Sequence, residues 1–212
     1  MEVIQGSAEW HALRLGKVTA SRVADVIAKT KSGYAASRAN YLAELLCERL
    51  TGDSAPSFMN DAMRWGTEKE PEARAAYAFR TDLEVEQIAF VDHPRISMAG
   101  ASPDGLIGAD GMLEIKCPNT ATHLDTLASG KPAAKYVTQM QWQMACAGRD
   151  WCDFVSYDPR LPENLRFFLT RIPRDDAFIE AAEAEVVAFL AELDARIADL
   201  TTRYCAQMKE AA

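Results

Sequence analysis

A Ser-Pro-Asp-Gly turn holds Asp104, and Glu114 follows on a short apolar run, with Lys116 two positions further on. Hydrolysis of a phosphodiester by a divalent metal needs hard oxygen ligands around the ion, a water made nucleophilic, and positive charge near the phosphorane. These residues supply one of each kind. If Met112 to Lys116 is a strand, Glu114 and Lys116 share a face, and the lysine is placed to orient the attacking water or to stabilise charge on the transferred phosphate. Alone, Asp…Glu-x-Lys is a weak signal, because such spacings arise by chance and a surface salt bridge is the commoner reading. The turn chemistry before the aspartate and the glycines between the two carboxylates strengthen it.

Three further groups of residues extend this centre. Glu70, within Trp65-Gly66-Thr67-Glu68-Lys69-Glu70-Pro71-Glu72, reads either as a third metal carboxylate reaching in from a helix or as part of a solvated acidic face, the reading that also covers Glu68 and Glu72. Gln139 and Gln143 stand one helical turn apart while Gln141 points nearly opposite, so only part of this set can face one site, and a polar helix side is the plainer explanation. The stretch from Trp10 to Ser21 offers another kind of site. A helix N-terminus with a nearby guanidinium and hydroxyl can hold a terminal phosphate, and Arg14 and Ser21 would be that pair. Each also has an ordinary role, Ser21 or Thr19 as an N-cap and Arg14 as a surface arginine, while His11 packs with Trp10.

The elements that must position these residues follow from periodicity and turn signals. Ser21 to Lys29 reads as a short helix opened by Thr19-Ala20-Ser21, and Ser37 to Leu50 as a second ended by Gly52, with Lys31-Ser32-Gly33 as a loop between them. A third helix is expected from about Asn60 to Phe79, kinked or restarted at Pro71. Strands are expected around Val85, Ile88, Phe90 and Val91, then Ile96 and Met98. A hairpin runs from Leu106-Ile107 through Gly108-Ala109-Asp110-Gly111 to Met112–Lys116. Thr120 to Gly130 and Pro132 to Gly148 read as helices, Trp151 to Tyr157 and Leu165 to Ile172 as strands. The tail from Pro173 reads as one long amphipathic helix, with Pro173 at its start. The result is a mixed α/β domain.

The 212 residues, 49% hydrophobic and 25% charged, allow a sizeable core and one domain spanning 1–212. No apolar run approaches the roughly 20 residues of a membrane helix, and Met1-Glu2-Val3-Ile4-Gln5 lacks the character of a signal peptide, so a cytoplasmic protein with no membrane partner is expected. Cys47, Cys117, Cys146, Cys152 and Cys205 form no metal-ligand spacing and read as reduced, mostly core residues. The net charge of -8 argues against a nucleic-acid partner. Its distribution reverses the argument. From Pro173 onward 4 Lys+Arg face 9 Asp+Glu, whereas Met1 to Asn60 has 7 against 6 and is free to hold a basic patch that includes Lys17, Arg22 and Lys31.

Taken together, these motifs resemble the λ exonuclease group of alkaline nucleases, also described as YqaJ-type viral recombinases, within the PD-(D/E)xK superfamily. The resemblance runs from about Trp10 to Arg160 and rests on WHALRLGKVTAS, the WG…E…AR block, ASPDGL, LEIKCP, YVTQMQ and YDPR. It implies a restriction-endonuclease-like α/β fold with a mixed sheet flanked by helices. It implies Mg²⁺, with Mn²⁺ as a substitute, held by Asp104, Glu114 and Ile115, and an active site completed by Glu70, Lys116 and Gln139. Arg14, Ser21 and Ser102 would form a 5′-phosphate pocket. Lys31 stands where such proteins carry a DNA-tracking arginine, without the planar fork of arginine, and Met63 where they carry an apolar wedge that parts the strands. Relatives of this kind are toroidal trimers around linear duplex DNA, work beside a single-strand annealing protein, and are encoded by phages or prophages of bacterial hosts.

The function expected is therefore 5′→3′ digestion of one strand of linear duplex DNA from a phosphorylated end, leaving a 3′ single strand for annealing. A restriction-type or RecB-like nuclease, and a non-catalytic DNA-end-binding protein of the same fold, are the alternatives. Intact Asp104, Glu114 and Lys116 speak against the last, and the Arg14/Ser21 pair favours end-directed over internal cutting.

Overall fold

The N-terminal third of the chain is a scaffold of short elements. Helix α1 (Ala8–Arg14) is capped by Ser7, whose hydroxyl accepts the Trp10 N–H. Strand β1 (Val18–Thr19) leads through a 3-10 turn, Ala20–Arg22, into α2 (Val23–Ile27). The helix expected from Ser21 thus begins later, and Thr19 makes no side-chain cap. The reason is that Val18 and Thr19 pair in parallel with Ala99 and Gly100, which holds Thr19 in extended backbone. A small hairpin, β2 (Lys29–Thr30) and β3 (Gly33–Tyr34), carries Lys31 at its exposed tip. Helix α3 (Ala36–Thr51) ends at Gly52, whose φ of 75° is the left-handed conformation glycine adopts freely.

The computed structural model describes residues 3–54 and 61–210, with side chains as far as 204. The expected helix start at Asn60, the side chain of Cys205, and Met1 and Glu2 lie outside the described residues. Helix α4 (Asp61–Thr81) runs unbroken through Pro71, which neither ends nor restarts it. The proline removes one N–H from the ladder, but Ala73 and Tyr77 beyond it are wholly buried against the sheet, and that packing outweighs the missing bond. The strands expected around Val85 to Val91 and at Ile96 to Met98 are shorter and displaced. Glu86 makes only an isolated bridge to Leu106, and the regular strands are β4 (Val91–Asp92) and β5 (Ala99–Ala101). Small residues build β5 because space is short: a Cβ on Gly100 would lie 2.2 Å from the Phe90 ring.

The main sheet has the order β6 (Gly105–Ile107), β7 (Gly111–Lys116), β8 (Trp151–Tyr157) and β9 (Phe167–Pro173). The β6/β7 pair is antiparallel, β7/β8 parallel and β8/β9 antiparallel, a mixed sheet. Both faces of β7 are covered. Leu113 and Ile115 pack toward Tyr77 of α4, and Met112 packs with Met140 and Met144. Those methionines belong to α6 (Ala134–Ala147), which follows α5 (Thr120–Ser129). By alternation Glu114 and Lys116 share the α6 side with Met112.

Helix α7 (Asp176–Glu210) confirms the long C-terminal helix, but Pro173 ends β9 instead of opening it. Asp175 performs the opening, its carboxylate accepting the Phe178 N–H at 3.0 Å. Ile179, Val186, Phe189 and Leu193 bury the inner face of α7 in one core with Val18, Val23, Tyr41 and Leu45. Among the described residues no helix is long and apolar enough to cross a membrane. Cys47, Cys117, Cys146 and Cys152 are all free thiols, the last three buried and Cys47 exposed.

The expected free basic patch at the N-terminal end is mostly absent. Lys17 pairs with Asp92, Arg22 with Asp25 and Glu44, Lys29 with Glu185, Arg38 with Glu192 and Arg49 with Asp194. Three of these partners belong to α7. The acidic excess of the C-terminal helix is used to fasten that helix to the N-terminal elements, and the cations there are correspondingly neutralised.

Candidate active site

The turn before β6 and the end of β7 meet at one point. The Asp104 carboxylate accepts the Ile115 backbone N–H at 2.6 Å, and the Asp104 N–H donates to the Leu113 carbonyl at 3.2 Å, so the turn is clipped onto the strand that carries Glu114. Glu114 is wholly buried, and the Lys116 ammonium bonds its Oε1. Burial, and then the neighbouring Glu114, push the Asp104 carboxyl well above the usual carboxylate range. Burial works against the Lys116 ammonium, but Glu114 and Asp104 outweigh it and hold the lysine above its ordinary value. Lys116 also lies 5.2 Å from the centre of the Tyr136 ring.

Of the glutamines, Gln139 donates to Glu114 Oε1 at 2.7 Å. Gln141 points away, bonding the Pro173 carbonyl and the Asp175 N–H where α7 begins. Gln143, one turn from Gln139 as the spacing places it, donates to Glu114 Oε2 at 2.7 Å. Glu70 is bonded by Arg74 on the same helix and acts electrostatically on Asp104, raising its carboxyl.

Arg14 and Ser102 are brought together, Arg14 Nη1 donating to Ser102 Oγ at 3.1 Å. Trp10 Nε1 donates to the same hydroxyl at 2.9 Å, and the Arg14 guanidinium lies over the Trp10 ring at 4.1 Å. Burial lowers the Arg14 pKa, with Tyr41 and Glu48 opposing. Ser21 is exposed in the 3-10 turn, and no helix of useful length begins there, so the helix-dipole part of the expected phosphate site is missing. Gly16, between Arg14 and Ser21, is gripped from both sides by α3: its N–H donates to Glu48 and its carbonyl accepts from Arg49. Its φ of 69° and a would-be Cβ 2.8 Å from Arg49 explain the glycine. Lys31 stands apart on its hairpin, and Met63 is half exposed on the first turns of α4.

The donor set suits a hard cation. Asp104 and Glu114 offer carboxylate oxygens, and Ile115 can add only its main-chain oxygen, a combination that matches magnesium with its few protein ligands and several waters. Among the described residues no group of three His, Cys, Asp or Glu side chains converges on a metal position. Two carboxylates forced together, one with its pKa driven up, form a place where a cation relieves the repulsion.

Residues 9–150 match the model of the YqaJ-like viral recombinase domain. The chain is 57% identical to LHK-Exo, an alkaline exonuclease from Laribacter hongkongensis, the match covering 95% of this chain and 100% of that one with a TM-score of 0.88. LHK-Exo in complex with dAMP superposes with a TM-score of 0.89 over the same shares. A phage-related exonuclease from Haemophilus somnus 129PT, 18% identical, covers 87% of this chain and 96% of its own with a TM-score of 0.72, a likeness of fold. No curated protein matches the sequence.

Proposed function

We propose, from the premise that the chain belongs to the YqaJ-like viral recombinase domain family and is related to an alkaline exonuclease at 57% identity, that it is a Mg²⁺-dependent exonuclease acting 5′→3′ on linear duplex DNA. One observation supports action at an end. Ser102, which Arg14 bonds, stands two residues before Asp104 in the same turn, so a terminal phosphate held by this pair would lie at a fixed separation from the reacting centre. An enzyme that cuts internally has no use for such a pocket.

Asp104, Glu114 and the main-chain oxygen of Ile115 would hold the metal, which supplies Lewis acidity and a more acidic water when bound. Lys116 keeps its proton and sets a positive charge against the scissile phosphate, where charge builds in the transition state. Gln139 fixes Glu114 Oε1, and Glu70 adds negative potential beside Asp104. Arg14 and Ser102 orient the terminal phosphate, with Ser21 on the nearby turn. The complex of LHK-Exo with dAMP supports a site that accommodates a nucleoside monophosphate, the product class of such cleavage. Met63 parts the strands, Lys31 follows the duplex, and the protein works in the bacterial cytoplasm as a ring of three beside a single-strand annealing protein.

The deciding experiment uses linear duplexes labelled at one end, incubated with and without Mg²⁺. Shortening of the 5′-ended strand, dependent on Mg²⁺, is expected. Attack from the 3′ end, or cutting of closed circles, would replace this reading with the restriction-type or RecB-like one.

A further inference from the structure

We propose that Gln143 is a positioning residue of this centre, holding the second oxygen of Glu114 for the metal and tying it to the turn that binds the terminal phosphate; the inference rests on the metal-dependent reading above. Gln143 is wholly buried on α6, one turn beyond Gln139. Its Nε2 lies 2.7 Å from Glu114 Oε2 and 3.5 Å from the Ser102 carbonyl. Both partners only accept, so the amide must present its NH₂ to them and turn its oxygen away. That oxygen is buried without a hydrogen-bond partner.

An unpaired buried acceptor is destabilising, a cost that a methionine in this position, like its neighbours Met140 and Met144, would not carry. Packing therefore does not explain the amide; what its NH₂ holds does. Glu114 is inaccessible to solvent and clamped from two sides, Gln139 and Lys116 on Oε1 and Gln143 on Oε2. With both oxygens fixed the carboxylate plane cannot rotate; Oε1 already accepts two donors, whereas Oε2 accepts one and keeps a lone pair for a cation. Hydrogen bonds that orient a metal-binding carboxylate typically change metal affinity by ten- to a hundredfold. The same amide reaches the main chain of Ser102, whose hydroxyl receives Arg14 and Trp10. Gln141 supplies the contrast, since its amide only joins α6 to the start of α7.

The test measures binding of Mn²⁺ alone to the whole protein by electron paramagnetic resonance, so that no turnover is needed. Gln143→Met should raise the Mn²⁺ Kd by about ten- to a hundredfold. Gln141→Met, which loses its own two hydrogen bonds at a distance from Glu114, should lower Tm but keep the Kd within about twofold. Should Gln143→Met fail to fold, Gln143→Asn, which keeps the amide but falls one methylene short, is read in the same way. A folded Gln143 variant that binds Mn²⁺ as tightly as the unaltered protein overturns the inference alone. Absence of Mn²⁺ binding by the unaltered protein overturns the metal-centre reading, and this inference with it.

Discussion

The Asp104 carboxylate takes its hydrogen bond from the backbone N–H of Ile115, the residue directly after the glutamate with which it is paired. One Asp104 oxygen is thus occupied in fixing the turn to β7, and the other remains for chemistry. Because an amide oxygen can accept the same bond, Asp104→Asn should fold normally while losing the charge a cation needs. We expect cleavage by Asp104→Asn, and by Lys116→Met, to fall on the order of a hundredfold to a thousandfold, with unchanged circular dichroism. Near-normal single-turnover rates for either variant would remove the assignment.

Arg14 is the group whose guanidinium meets Ser102, and a terminal phosphate would add charge-assisted hydrogen bonds there. Digestion should be faster from a 5′-phosphate than from a 5′-hydroxyl by on the order of tenfold to a hundredfold. Arg14→Ala should abolish the difference mainly by slowing the phosphorylated substrate. Initial rates on the two substrates decide the matter, and equal rates with the unaltered protein would count against the pocket.

His93 gives a pH dependence of stability whose sign can be worked out. Its ring is buried, Nδ1 accepts the Arg95 N–H, and Nε2 faces Glu183 at 3.1 Å. Burial lowers its pKa below the ordinary 6.5, and Glu183 only partly offsets this. The unfolded chain consequently takes up the proton first as pH falls. Stability from the neutral ring is present above about pH 6.5 and is lost below it. Urea unfolding at pH 7.5 and at pH 5 should show a larger loss for the unaltered protein than for His93→Gln; an equal loss would contradict the assignment.

Lys31 is left at an exposed hairpin tip while Lys17, Arg22, Lys29, Arg38 and Arg49 are engaged in ion pairs. If it follows the duplex, Lys31→Glu should shorten the DNA digested per binding event several-fold and change the first cleavage by less than about twofold. Digestion in the presence of a trap DNA reads the two effects separately. A proportionate fall in both would mean that Lys31 serves capture and not tracking.

The site was legible where one residue's chemistry and its period coincide. Asp104, Glu114 and Lys116 meet because a turn and a strand each announce themselves locally, whereas Gln139 and Ser102 were marked only by the family resemblance. Gln143 was placed by its spacing on the side of Gln139, but its partner Glu114 lies across the interface and could not be read from the helix alone. Pro71 misled because the rule against proline in helices is local, whereas Ala73 and Tyr77 are held by the sheet. Pro173 misled in the other direction, since a proline can equally end an edge strand, as it does in β9. Net charge was read correctly as uneven, but which cations face which anions across Lys29–Glu185 or Arg49–Asp194 is a long-range fact that no segment contains.

The fastening of α7 onto α2 and α3 has a consequence during synthesis. Arg49 bonds both the Gly16 carbonyl and Asp194, and Tyr41 stacks on Phe189. The stretch that carries Arg14 is therefore braced by a helix that leaves the ribosome long after β7 and α6. In a growing chain the strand and helix around Glu114 are therefore made before the segment that carries Arg14 gains its brace, which is completed only when Phe189 and Asp194 have been added.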